Sequence, residues 1–152
     1  MRLAVVAVGR ARDGAMVDLY RDYVRRLAWP VALHEVELRA PPAEGQRAAR
    51  EGAMLQARIP TRATIVALDP RGVTLSSEAF AQRLGRWRDE GVADLAFVIG
   101  GADGLTDEIR RSAALVLSFG AMIWPHLLAR VMLAEQLFRA QSILAGHPYH
   151  RA

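Results

Sequence analysis

Two short apolar runs without a polar break, TIVAL at 64–68 (after its leading Thr) and LAFVI at 95–99, constrain this chain more than any other feature. A strand that is apolar at nearly every position has no face left for water. Its place is inside a sheet covered on both sides, as parallel strands usually are. Parallel neighbours need crossover connections, and the residues between the runs have the spacing of helices. Arg2–Val8, rich in Val and Ala and closed by Gly9, reads as the first such strand, and 115–119 (LVLSF) as the last. Val31–Leu38 alternates instead, which suits a strand covered mainly on one face.

The intervening stretches are helical. Val17, Tyr20, Val24 and Leu27 recur at helical spacing between Arg21, Asp22, Arg25 and Arg26, and Trp29-Pro30 stops that helix. An alanine-rich helix over 46–58 ends at Pro60; Arg47, Arg50 and Arg58, with Arg39 ahead of them, read as a solvated basic face. Asp69-Pro70-Arg71-Gly72 reads as a turn closing the 64–68 strand. Ser76 or Ser77 caps a helix running to Asp89 with Phe80, Leu84 and Trp87 on its apolar side. Thr106 caps a short helix with Asp107 and Glu108 in its first turn. The last helix, 125–145, is apolar nearly all round and must be buried on two sides, by the core alone or by a second copy of the chain.

Strands alternating with helices define an α/β fold, a mostly parallel sheet flanked by helices. The 152 residues, 52% of them hydrophobic, fit one domain over 1–152 with a core that needs neither disulfide nor metal. The absence of cysteine removes thiolate chemistry and points to a reducing cytoplasm. No apolar stretch approaches the roughly 18–20 residues that span a bilayer, so no membrane is expected. The net charge of +4, carried on arginines, tilts the choice of partner toward nucleic acid.

Ligands of parallel sheets bind beyond the carboxyl ends of the strands. Three such ends stand out: 68–72, the glycine turn 100–104 (GGADG) and 119–124 (FGAMIW). The glycine turn has neither the G-x-G-x-x-G spacing of a dinucleotide fold nor the Lys-Ser/Thr of a phosphate loop. His34, His126, His147 and His150 form no metal motif, so no metal is expected. Glu135 and Arg139, four apart, share a helix face and can pair. The tail, 146–151 (GHPYHR), combines an aromatic ring, two imidazoles and an arginine, a mix that can stack on a base and hold phosphate.

These stretches together resemble the SPOUT class of RNA methyltransferases, and within it the small bacterial enzymes that methylate N3 of a pseudouridine in 23S ribosomal RNA. The matching motifs are the opening LAVVAVG, LD-x-x-G at Leu68–Gly72, and F-V-I-G-G-x-x-G-L at Phe97–Leu105. PH-x-L-x-R at Pro125–Arg130, E-x-L-F-R-A at Glu135–Ala140 and HPYHR at His147–Arg151 complete the set. The last is the most specific.

The resemblance implies a C-terminal trefoil knot, S-adenosyl-L-methionine bound within it, and a homodimer acting on 23S rRNA in the ribosome. Carried over by position, the cofactor would be held by Leu68, Gly100, Phe119, Gly120, Ala121, Met122, Ile123 and Trp124. Gly120 and Ile123 stand where the family often has hydroxylated residues, so backbone groups are expected to read the cofactor here. Arg139 would orient the base or its phosphate, Glu135 would fix Arg139, Tyr149 would stack on or bond the target base, and His150 would take the proton or contact RNA. Two rival readings share this fold: a non-catalytic RNA- or ribosome-binding module, and a methyltransferase for another rRNA or tRNA site.

Overall fold

The structure is a computed structural model that describes residues 1–150, the side chain of His150 excepted. Among these residues five strands, β1 (Arg2–Val8), β2 (Val31–Val36), β3 (Thr64–Thr74), β4 (Asp94–Ile99) and β5 (Leu115–Ser118), form one sheet in the order β2-β1-β4-β3-β5. Every pairing is parallel, as the continuous apolar runs require. The helices are α1 (Ala15–Arg25), α2 (Arg47–Gln56), α3 (Ser77–Asp89), α4 (Asp107–Ser112) and α5 (His126–Leu144), followed by a 3-10 turn at Pro148–His150. No helix among the described residues is long and apolar enough to cross a membrane.

Alternate residues of the central strands feed two cores. Leu3, Val5, Leu95 and Phe97 meet Phe80 and Leu84 of α3 and Leu133 and Leu137 of α5. Their neighbours Ala4, Val6, Ala96 and Val98 meet Leu55 of α2 and Ile109 of α4. Each large aliphatic enclosed in this way contributes on the order of 1.5–3 kcal/mol of burial, so an unpaired polar side chain at any of these central positions would be costly. Ser76 and Thr106 cap α3 and α4 as their sequences suggest, accepting from Ala79 N–H and Ile109 N–H.

One expectation changes. β3 does not end at Leu68 but resumes after the turn and runs to Thr74, with Leu68 and Val73 both opposite Leu117 of β5. Asp69–Gly72 is therefore a bulge, where Pro70 can sit without leaving a ladder bond unmade. α5, for its part, finds both covers within the chain. One side enters the sheet core, and the other presents Val131 and Ala134 to Tyr20, Tyr23 and Val24 of α1.

Candidate active site

β4, β3 and β5 are adjacent and parallel, so their carboxyl ends open on the same edge. From β5 the chain crosses this edge through 119–125 and enters α5 at the far side, beside the ends of β1 and β2. The PH-x-L-x-R motif makes that landing. His126 packs against Gly9, leaving no room for a side chain there. Arg130 donates to Val8 O at 2.7 Å and Gly9 O at 2.5 Å, and pairs with Glu35 at 2.6 Å. Burial, then the nearby Arg130 charge, lower the His126 pKa, which keeps the imidazole neutral at pH 7.

Under the crossing lies a cleft of about 790 Å³, walled by 68–71, 99–104 and 119–126. Its size is that of a pocket for a cofactor-sized molecule. Leu68, Gly100, Phe119, Gly120, Met122, Ile123 and Trp124 all line it; Ala121, in the same loop, does not. The turn at Gly100 is tight enough that a Cβ there would lie 2.7 Å from the Gly104 carbonyl carbon. Gly120, at φ 112°, takes a backbone conformation that a hydroxylated L-residue would adopt only under strain. Ser118 ties the walls together: its Oγ accepts from Gly120 N–H at 3.1 Å and lies 3.2 Å from Pro70 O.

The charged groups around the cleft were not legible from local spacing. Asp69, buried where the bulge of β3 begins, accepts from Arg71 N–H at 3.0 Å, Arg71 Nε at 2.8 Å and Arg71 Nη2 at 2.9 Å. Arg110 adds a contact at 3.4 Å, and the Arg71 hydrogen bonds hold the Asp69 carboxyl below its ordinary pKa against the opposing effect of burial. Behind the glycine turn sits Glu51 of α2, also buried, with Oε2 unpartnered and 2.5 Å from where a Gly101 Cβ would stand. Burial raises its pKa, with Arg47 opposing. The helix read as a solvated basic face therefore presses a carboxyl group against the cleft floor.

Of the four residues singled out for chemistry, Glu135, Arg139 and Tyr149 do not line this cleft. Glu135 lines a second cavity of about 500 Å³, which shares Leu117, Phe119 and Gly120 with the cleft. Glu135 pairs with Arg139 at 2.7 Å and lies 3.4 Å from the Tyr149 hydroxyl. The Tyr149 ring meets Phe138 edge-on at 4.7 Å, and burial, then hydrogen bonding with Tyr23, push its phenol up to about 12. Arg26, missed in the sequence, lies 4.0 Å over the Phe138 ring. Glu135, Arg139 and Tyr149 are thus brought together, on the outer side of α5. His150 ends the same turn, with its side chain outside the described residues, as are Arg151 and Ala152.

A parallel sheet whose β5–α5 connection crosses a cleft at the strand ends is the setting of a family match. Residues 1–150 match the family described as predicted SPOUT methyltransferase. The chain belongs to that family. Ribosomal RNA large subunit methyltransferase H from Rhodospirillum centenum is 59% identical over 152 residues, covering 100% of both chains. The protein of the same name from Paramagnetospirillum magneticum is 55% identical over 151 residues, covering 99% of each. Among solved structures, the SpoU methyltransferase AviRb from Streptomyces viridochromogenes aligns with a TM-score of 0.49 at 16% identity, covering 96% of this chain and 61% of that one.

Proposed function

We propose that the chain binds S-adenosyl-L-methionine in the cleft under 119–126 and methylates N3 of a pseudouridine in 23S rRNA, presented on the ribosome in the cytoplasm. The observation that carries this reading is the cleft itself, which joins three strand ends and collects seven of the eight residues expected to hold the cofactor. Its walls suit that molecule: backbone groups of the turns for the adenine edge, Met122, Ile123 and Trp124 for its faces, and charged side chains at the rim. The relatives that match along their whole length bear the name of a large-subunit rRNA methyltransferase. The chain crossing at 119–125 and α5 behind it are read as the threaded part of a trefoil knot.

When bound, the cofactor supplies a methyl group already activated by its sulfonium. The protein's task is then to align N3 and to receive a weakly acidic imide proton. Alignment can account for up to about 7–11 kcal/mol of such a barrier. A base within hydrogen-bond reach adds about 10²–10⁴ in rate. Arg139, held by Glu135, orients the base or its phosphate; Tyr149 stacks on or hydrogen-bonds the base; His150 accepts the proton.

Glu135, Arg139 and Tyr149 lie outside the cofactor cleft, which favours a homodimer in which one protomer's tail completes the other's site. Met122 and Ile123, 70% and 89% exposed beside the cleft, give such a partner an apolar surface to cover.

The test is transfer of a labelled methyl group from S-adenosylmethionine to ribosomes from cells lacking the homologous enzyme, with the label mapped in the rRNA. Label at N3 of one 23S pseudouridine supports the reading. Label in tRNA or at another base reassigns the substrate. Absence of transfer to any RNA together with absence of cofactor binding leaves the binding-module reading.

A further inference from the structure

Within the cleft wall, one guanidinium keeps a donor to spare and one carboxylate has no partner among the described residues. Arg71 uses its backbone N–H, Nε and Nη2 on Asp69, which fixes the guanidinium plane. Its Nη1 has no partner among the described residues, and the side chain is 63% exposed at the cleft. Asp103, at the tip of the glycine turn on the facing wall, makes no hydrogen bond or ion pair with any described residue. Both line the same cleft, and Arg71 Nη2 lies 4.0 Å from where a Cβ on Gly104, the residue after Asp103, would stand, yet no hydrogen bond or ion pair joins the two. Their nearby competitors are committed. Arg110 is spent on Asp107, Asp69 and the Leu105 carbonyl, and Arg47 faces Glu51 at 3.5 Å.

An α-amino acid group has this same pattern of charge: a carboxylate and an ammonium on one carbon. We infer that Arg71 and Asp103 together receive the amino-acid end of the cofactor, with Arg71 Nη1 donating to its carboxylate and the Asp103 carboxylate accepting from its ammonium. This rests on the cofactor reading given above. A phosphate fits the pair less well, because the free Asp103 carboxylate beside the guanidinium repels a dianion that it cannot also bond. Asp69 is the positioning residue of the site. Bonds to both of its oxygens hold Arg71 in a fork that a freely rotating arginine lacks, and a pre-oriented guanidinium loses less freedom on binding a carboxylate.

The test is calorimetric binding of three probes: S-adenosylmethionine, its decarboxylated form, and methylthioadenosine, which lacks the whole amino-acid end. Arg71→Gln is expected to weaken S-adenosylmethionine about tenfold, the worth of one charge-assisted hydrogen bond, and to leave the other two probes unchanged. Asp103→Asn is expected to weaken both ammonium-bearing probes by a similar factor and to spare methylthioadenosine. Since Asp103 makes no hydrogen bond or ion pair with any described residue, that variant is expected to fold as the parent does even if Arg71→Gln unsettles Asp69. Unchanged S-adenosylmethionine binding in either variant overturns the assignment, and so does an equal loss for methylthioadenosine. If the parent protein binds none of the three probes, the cofactor reading fails and takes this inference with it. If the parent binds all three and the variants do not discriminate, this inference fails alone.

Discussion

Arg130 and Glu35, ninety-five positions apart in sequence, form a 2.6 Å ion pair with the arginine side chain only 4% exposed. The same guanidinium holds the carbonyl oxygens that end β1. One side chain therefore anchors the start of α5 to two strands, and the chain that crosses the cleft is stretched between this anchor and β5. Replacing Arg130 takes the buried guanidinium from two carbonyl oxygens and leaves Glu35 with only the Ala11 N–H at 3.1 Å. Arg130→Met is expected to lower unfolding free energy by about 3–5 kcal/mol, measured by urea denaturation. A loss below about 1 kcal/mol would mean that the anchor is dispensable.

Asp69 gives the fold a signature in acid. Arg71 holds its folded pKa below the ordinary 3.8, so the carboxylate stabilises the protein above that value. This contribution declines as the pH falls below 3.8 and is gone once it has passed through the lower folded value. Asp69→Asn is expected to be less stable than the parent at neutral pH, with the difference shrinking as acid is added. A gap that stays constant from neutral pH down to about pH 2 would contradict the pairing.

Trp124 is 38% exposed in the cleft wall, whereas Trp87 is buried in the sheet core and Trp29 packs against it. Titration with S-adenosylmethionine is expected to change tryptophan fluorescence, and Trp124→Phe to remove most of that change. A full signal in the variant would place the ligand elsewhere.

On the outer side of α5, Glu135 fixes Arg139 at 2.7 Å and approaches the Tyr149 hydroxyl at 3.4 Å. Arg139→Ala is expected to reduce methyl transfer by about 10²-fold or more, with cofactor affinity within twofold of the parent. Glu135→Gln should show a smaller loss in the same direction. Loss of cofactor binding in Arg139→Ala would mean that the residue serves the cleft rather than the RNA.

The sheet could be read in the sequence because its strands are buried on both faces: Phe97 and Val98 point to different cores, yet both must be apolar. Caps at Ser76 and Thr106 were equally legible, since their partners lie three residues away. The continuation of β3 was not. Asp69-Pro70-Arg71-Gly72 is a turn by local chemistry, and only Leu117 across the sheet shows that the strand resumes. α5 shows the limit of periodicity, which reports that two faces are buried and is silent on what buries them. Most of the cofactor cleft was visible because it sits where strands end. Glu51, Arg71 and Arg26 were not, because their roles come from neighbours brought close by folding: Gly101, the facing glycine turn and Phe138.

The most direct measurement is a structure of the protein with S-adenosylmethionine bound. The account predicts the ligand between Leu68, Gly100 and 119–124, with its amino-acid end at Arg71 and Asp103. A ligand lodged instead in the cavity beside Glu135 and Gln136 would contradict it.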